Sequence, residues 1–468
     1  MTSMGPTTTA APAPPGAAYR LLQRIVAVRP EEVRAVLWCW LYIFALLSSY
    51  YIMRPIREQM GVAGGVNNLP WLFTGTLVAM LFVNLPFAYL VKKLPRSRFI
   101  PLTYRFFAVN ILLFALALRI ADPEQTIWVG RVFFIWISVY NLFVVSVFWQ
   151  LNVDLFSPEQ GKRLFGFIAV GATVGALVGA AVTGSLARQV SPTWLLLGAA
   201  LLLEVAVFAV SRLARLSPSL HRLPNDRDIG RQPPRAPELT TKANDPNRIA
   251  GDNERPVGGG VLDGIMNALR SPYLVGVGAF LLLYPVTSTF VYFQQAEIVQ
   301  HSFADRGAQT AFFANIDFGV NALALIVQLF FSGRVIVLLG VSLALGLLPV
   351  LTMAGFAALA LTPSLTVIAV FQIIRRAADY AITRPAREVL YTVVPREDRY
   401  KTKGFIDTFV YRVGDQAGAW SNQWLNGAGS RAAPLVGVAV AVLWLMNALW
   451  LGRRQQRLET ANASSRTL

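Results

Sequence analysis

The sequence predicts an all-α membrane protein with twelve transmembrane helices in two six-helix halves. Three observations carry that prediction. The 468 residues are 55% hydrophobic and only 14% charged, above the apolar share of about 45–50% usual for soluble domains. Twelve segments approach the run of about 20 predominantly apolar residues that a helix needs to cross the hydrocarbon. Between the sixth and seventh lies a stretch rich in Pro, Arg, Asp and Asn, "SPSLHRLPNDRDIGRQPPRAPELTTKANDPNRIAGDNERPVGGG", which reads as a disordered linker.

In order, the expected spans lie near residues 34–55, 68–91, 99–119, 127–152, 165–186 and 193–213, then 272–296, 309–331, 335–361, 364–388, 404–425 and 433–452. The corresponding organisation is a tail at 1–30, an N-terminal half at 31–215, a cytoplasmic linker at 216–262, a C-terminal half at 263–453 and a cytoplasmic tail at 454–468. The opening "MTSMGPTTTAAPAPPGAAYR" has neither a basic start nor an apolar core, so it is expected to be disordered and uncleaved, with the first span as the insertion signal. With the N-terminus inside, "VKKLPRSR", "GKR", the basic linker, "PREDRYKTK" and "GRRQQR" fall on the cytoplasmic side, whereas "NGAGSRAAP" and "ALTPS" fall outside, as the positive-inside rule requires. Dropping the tenth span would put "GRRQQR" outside. A bacterial-type inner membrane with both termini cytoplasmic is therefore expected.

The two halves echo each other. "GKRLFGFIAVGATVGALVGA" enters the fifth span after a short basic loop, and "KTKGFIDTFVYRVGDQAGAW" enters the eleventh in the same way. Gly166-Phe167-Ile168 then matches Gly404-Phe405-Ile406, and, with one inserted residue, Gly175 and Gly179 match Gly414 and Gly418. Their equivalent positions favour a duplicated six-helix unit of the kind seen in major-facilitator-type transporters. Gly171, Gly175 and Gly179, at four-residue spacing, are expected to let helix backbones approach closely.

Composition excludes several function classes. One cysteine permits no internal disulfide, and two histidines make a metal site or histidine dyad improbable. No phosphate loop, dinucleotide fingerprint or HExxH occurs. An enzyme, a cofactor and a metal are therefore not expected. The formal charge of +17 fits nucleic acid, anionic lipid or an anionic solute; in a membrane protein the cytoplasmic loops carry most of it, and no nucleic acid partner is expected. A small anionic solute and the lipid bilayer are, and nothing in the chain requires more than a monomer.

The chemistry lies in charges inside the spans. "FQIIRRAADYAITRPAREVL" puts Arg375, Arg376, Asp379, Arg384, Arg387 and Glu388 in the tenth span, although an arginine at the bilayer centre costs about 2.5–3.5 kcal/mol even on the gentler scales. Asp379 is within four residues of both Arg375 and Arg376 and shares their side of a helix, yet one carboxylate cannot neutralise two guanidinium groups. Pro385 can kink this helix. Asp407, Tyr411 and Asp415 form one expected stripe on the eleventh span, which also carries Arg412, and Asp317 precedes Asn321 by one turn on the eighth. On the first, Tyr50, Arg54 and Arg57 share a stripe with Glu58 close by, and the fourth ends in "FWQLNVDLF" with Asp154, a residue able to cap or to pair with Lys162 or Arg163. The seventh offers Tyr284, Pro285, Thr287, Ser288 and Thr289. Arg105 in the third and Glu204 in the sixth are isolated and are expected to be packing partners. Two readings stand: ion pairs that only fix helix packing, or a water-filled cavity in which arginines bind an anion while Asp317, Asp379, Asp407, Arg412 and Asp415 gate or couple transport.

At "YYIMRPIREQ", "FWQLNVDLFSPEQGKRLFGFIAVGA" and "RPAREVLYTVVPREDRYKTKGFID" the chain resembles the nucleotide transporters typified by the ATP/ADP translocases of plastids and intracellular bacterial parasites. The resemblance implies nucleotide exchange by alternating access. It also implies site roles for Arg57 with Glu58, for Asp154, and for Arg387 with Glu388. Arginine stands here where better-known members have lysine, and aspartate where they have glutamate, and the two cations bind phosphate differently. A proton-coupled carrier of another organic anion or amphiphile, and a non-transporting membrane scaffold or sensor, are the competing readings.

Overall fold

The computed structural model describes residues 28–93, 96–220, 270–330, 332–394, 402–403, 405–427, 429 and 431–464. Most of the expected N-terminal tail and linker, and most of the loop "PREDRYKTK", lie outside these residues. Helices stand at the expected spans: α1 Val33–Ala63, α2 Leu69–Lys93, α3 Arg96–Ile120, α4 Pro123–Leu155, α5 Pro158–Leu186, α6 Pro192–Leu220, α7 Pro272–Ser302, α8 Arg306–Phe330 and α9 Ser332–Leu361. The tenth, α10, is composite: Leu365–Ala378, a π-helical turn Asp379–Thr383, then Arg384–Leu390. In α11 a π-helical turn Ile406–Val410 leads into Tyr411–Asn426, and α12 is Ala432–Ser464.

Among the described residues ten of these helices are long and apolar enough to cross a membrane. The other two are α10 and α11, interrupted by π turns and carrying most of the ions. Their polarity is possible because they face protein and a cavity, where lipid-facing helices would not tolerate it.

Local sequence fixes the helix starts. "DPEQ" at 122–125 and "SPEQ" at 157–160 each build a capping box with proline in the first turn, opening α4 and α5. Gly65, at φ 88°, makes the tight turn from α1 to α2 that a residue with a Cβ would resist.

Packing repeats between the halves. α1 packs on α5 and α6, and α3 on α6; α7 packs on α11 and α12, and α9 on α12. The expected glycine match explains part of this: a Cβ at Gly179 would stand 2.5 Å from the Ser48 carbonyl oxygen of α1, and one at Gly414 would stand 2.7 Å from the Leu282 carbonyl oxygen of α7. Between halves, α5 meets α8 and α2 meets α11, so that the same two positions of each repeat form both seams.

The seams close one face. The linker face is the one where α1 and α7 begin and α6 and α12 end. On the opposite face an apolar cluster unites Val62, Leu69, Leu72 and Phe134 of the first half with Phe293 and Phe313 of the second. Trp71 meets Trp420 edge-on at 4.9 Å, and Thr74 Oγ1 donates to Gln416 Oε1 at 2.9 Å. The largest core clusters lie each essentially within one half. Between the halves a central cavity opens toward the linker face.

Candidate functional site

The cavity has a volume of about 510 Å³ and is lined from α1, α2, α4, α7, α8, α10 and α11. Six arginines line it (Arg54, Arg57, Arg375, Arg376, Arg384, Arg412) against three carboxylates (Glu58, Asp317, Asp415). Eight aromatic rings contribute, six of them tyrosines.

Asp317 sits at the junction of the halves and is almost wholly buried. Its Oδ1 accepts from Arg54 Nη1 of α1 at 2.6 Å and from Arg376 Nη1 of α10 at 2.8 Å. One oxygen thus serves two guanidinium groups: Arg54 ties the first half to the second, and Arg376 joins α10 to α8 within the second. Arg376 Nη2 is buried with no hydrogen-bond partner among the described residues, so Asp317 leaves donor capacity unused.

Arg375 is 2% exposed, and among the described residues no carboxylate pairs with it. Hydroxyls hold it instead: Nη2 donates to Ser288 Oγ at 2.7 Å and to Thr287 Oγ1 at 3.3 Å, and Nε to Thr352 Oγ1 at 3.2 Å. The Tyr284 ring lies 5.4 Å from its guanidinium carbon. Neutral acceptors orient the group without cancelling its charge, so the charge remains available to an anion.

The remaining charges are partly paired. Arg384 Nε donates to Asp379 Oδ2 at 3.0 Å, and Tyr284 donates to the same oxygen at 2.9 Å. Arg57 Nη1 reaches Glu58 Oε1 at 2.9 Å, its guanidinium carbon 3.8 Å from the centre of the Phe134 ring. Arg412 Nη1 reaches Asp415 Oδ2 at 3.2 Å.

Ten of the sequence-derived residues therefore meet in or beside one cavity: the nine charges named as lining it, with Asp379 behind Arg384. Four do not line it. Asp154 is at the linker-face end of α4. Arg387 and Glu388 lie 4.0 Å apart at the linker-face end of α10, where Lys403 Nζ reaches Glu388 Oε2 at 2.5 Å. Asp407 belongs to that outer group, since the charges acting on it are Arg387, Lys403 and Glu388. The expected stripe of Asp407, Tyr411 and Asp415 is broken by the π turn at 406–410, which changes the four-residue step. Tyr411 and Asp415 line the cavity without Asp407.

Sequence reasoning overlooked Thr352 and the pair Gln372–Gln295, joined at 2.5 Å between α10 and α7. Thr352 stands in the apolar second part of α9, ten residues after Ser342, and a hydroxyl in the middle of such a run was the available signal. Arg105 and Glu204, expected to be packing partners, stand beside each other where α3 packs on α6, Arg105 Nε 3.8 Å from Glu204 Oε2, on the outer surface of the bundle.

A model of the Major Facilitator Superfamily matches residues 39–410. The chain belongs to the Major Facilitator Superfamily. It is 22% identical to ADP,ATP carrier protein 1 of Chlamydia muridarum (strain MoPn / Nigg), over 94% of this chain and 93% of that one. To the protein of the same name from Chlamydia pneumoniae it is 20% identical over 91% of this chain and 90% of that one. Among solved structures, a bacterial homologue of the iron transporter ferroportin in an inward-facing state superimposes with a TM-score of 0.60 at 12% identity, covering 90% of this chain and 98% of that one. An auto-inhibited POT family peptide transporter gives 0.57 at 12% identity, covering 91% and 97%. These two likenesses show the fold. This superfamily member is a membrane transporter, and its resemblance to ATP/ADP-translocase-type carriers runs the length of the chain.

Proposed function

We propose that this transporter exchanges nucleotides of the ATP/ADP type by alternating access, across a bacterial-type inner membrane with both termini cytoplasmic. The observation that carries the reading is the surplus of arginine in the central cavity, above all the buried Arg375, held by three hydroxyls with no carboxylate partner among the described residues. In this reading Arg54, Arg57, Arg375, Arg376 and Arg384 receive phosphate oxygens, with Glu58 orienting Arg57. The aromatic lining offers stacking surface for a base. The cavity falls within the roughly 300–1,000 Å³ usual for sites that enclose a small molecule, and the names of the chlamydial relatives agree. Arg387 with Glu388, and Asp154, act at the cytoplasmic mouth, where an incoming anion first meets the protein.

Coupling follows from Asp317. Without substrate, Arg54 and Arg376 share its carboxylate and the halves are tied across the cavity. A bound phosphate supplies the competing acceptors, releases Arg54 from Asp317 and lets the halves rock, while Arg376 keeps its place on Asp317 within the second half. An empty cavity keeps the tie and does not reorient, which makes transport an exchange. Asp379, Asp407, Arg412 and Asp415 adjust the balance of charge around that step.

A proton-coupled carrier of another organic anion is favoured by one feature: Asp415 lines the cavity beside Arg412, a carboxylate placed to take up a proton. The test is a thermal-shift panel on detergent-purified protein, with nucleoside di- and triphosphates against dicarboxylates and inorganic phosphate. Stabilisation by nucleoside phosphates that is lost in Arg375→Gln supports nucleotide binding. Stabilisation by dicarboxylates alone, with a pH dependence removed by Asp415→Asn, supports the second reading and ends the first.

A further inference from the structure

Arg105 of α3 and Glu204 of α6 belong to neither the cavity nor the seams. Their side chains are 65% and 46% exposed, with Arg105 Nε 3.8 Å from Glu204 Oε2. No other polar partner serves either one among the described residues. Their depth makes this unusual. Glu204 is the middle residue of the span Pro192–Leu216, and Arg105 lies six residues inside the span Phe99–Ile120, about 9 Å along the helix. Around them the surface is apolar: Leu102 and Val109 on α3, and Leu201 and Phe208 on α6, are all exposed. In hydrocarbon, one contact of 3.8 Å leaves most donors of the guanidinium and most acceptors of the carboxylate unserved, and such groups are expensive there.

The geometry points to a homodimer interface formed by α3 and α6, in which Arg105 pairs with the partner's Glu204 and Glu204 with the partner's Arg105. A cation and an anion side by side at one depth form a self-complementary patch. A two-fold axis along the membrane normal preserves depth and exchanges left for right, so each charge meets its opposite on the other copy. A lipid headgroup would serve Arg105 but not an anion at mid-span. No residue lining the cavity comes from α3 or α6, so a dimer on this face leaves alternating access free within each subunit.

The test is subunit counting by single-molecule photobleaching of the full chain in lipid bilayers, across a range of protein densities. The parent is expected to give two subunits per spot. Arg105→Leu with Glu204→Leu, which removes both exposed charges without placing new ones in lipid, is expected to shift the monomer–dimer equilibrium at least tenfold toward monomer. Arg105→Glu and Glu204→Arg, each on its own, set like charges against like and are expected to be monomeric, but when co-reconstituted with different tags they are expected to form mixed pairs. Restored dimerisation in the double swap R105E/E204R completes the pattern. A parent that stays monomeric at every density overturns the proposal, and so does a leucine double variant that dimerises like the parent. None of these readouts depends on which solute is carried.

Discussion

Replacing Asp317 by asparagine tests the tie between the halves. The substitution keeps the shape and one carbonyl acceptor but removes the charge that Arg54 and Arg376 share at 2.6 and 2.8 Å. A hydrogen bond to a charged group contributes about 1.5–3 kcal/mol, and removing one partner of a buried pair costs about 3–5 kcal/mol because the other charge is left uncompensated. The side chains of Arg54 and Arg376 are 19% and 13% exposed to the cavity, so water offsets part of that cost, and the low end applies: about 3 kcal/mol. The assay is denaturant unfolding in detergent of the parent, Asp317→Asn, Arg54→Gln and the double variant. Because Arg54 and Asp317 touch directly at 2.6 Å, each single variant already breaks that contact, and the double variant is expected to lose less than the sum of the singles, with a coupling of at least about 1 kcal/mol. Additive losses within about 0.5 kcal/mol would refute the Arg54–Asp317 tie between the halves.

Three further outcomes follow from the geometry. Gly179→Val drives a side chain into the Ser48 carbonyl of α1, an overpacking expected to cost about 1–3 kcal/mol or more; the same measurement on Gly198→Ala, where a Cβ meets nothing within 4 Å, should show a loss well below that. Arg375→Lys keeps a charge but loses the fork held by Ser288, Thr287 and Thr352, and should weaken anion binding at least tenfold in a titration while the folded fraction is retained. Cysteines at Thr74 and Gln416, in a Cys39→Ala background, joined by a short bifunctional thiol reagent, fix the α2–α11 seam where those side chains now touch; transport should stop while binding from the linker face persists, and unchanged transport would mean that this seam does not open.

Much of this architecture was legible because the membrane leaves a helix few choices. Apolar runs located ten of the helices, a helix also stands at the tenth position for which loop charge argued, and Gly414 and Gly418 were recognisable from Gly175 and Gly179 because close backbone approach leaves no room for a side chain. The six cavity arginines were also visible, since charge in a span is conspicuous. What stayed hidden depends on crossing geometry. Whether Arg375 or Arg376 met Asp317 turned on how α8 and α10 cross, and Thr352 joined the site from a helix with no other sign of it. Asp407 was assigned to the wrong stripe because a π turn is not written in a helical period. Arg105 and Glu204 lie far apart in the chain, and no local pattern showed that α3 and α6 would bring them together on the outside.

The central claim is that a cavity with surplus arginine carries nucleotides only in exchange. Counterflow in proteoliposomes tests it most directly: labelled ATP outside, with vesicles either empty or preloaded with ADP, for the parent and for Arg375→Gln. The expected result is uptake by the parent only into preloaded vesicles, and little or none by Arg375→Gln. Uptake into empty vesicles at the same rate, or undiminished uptake by the variant, would contradict it.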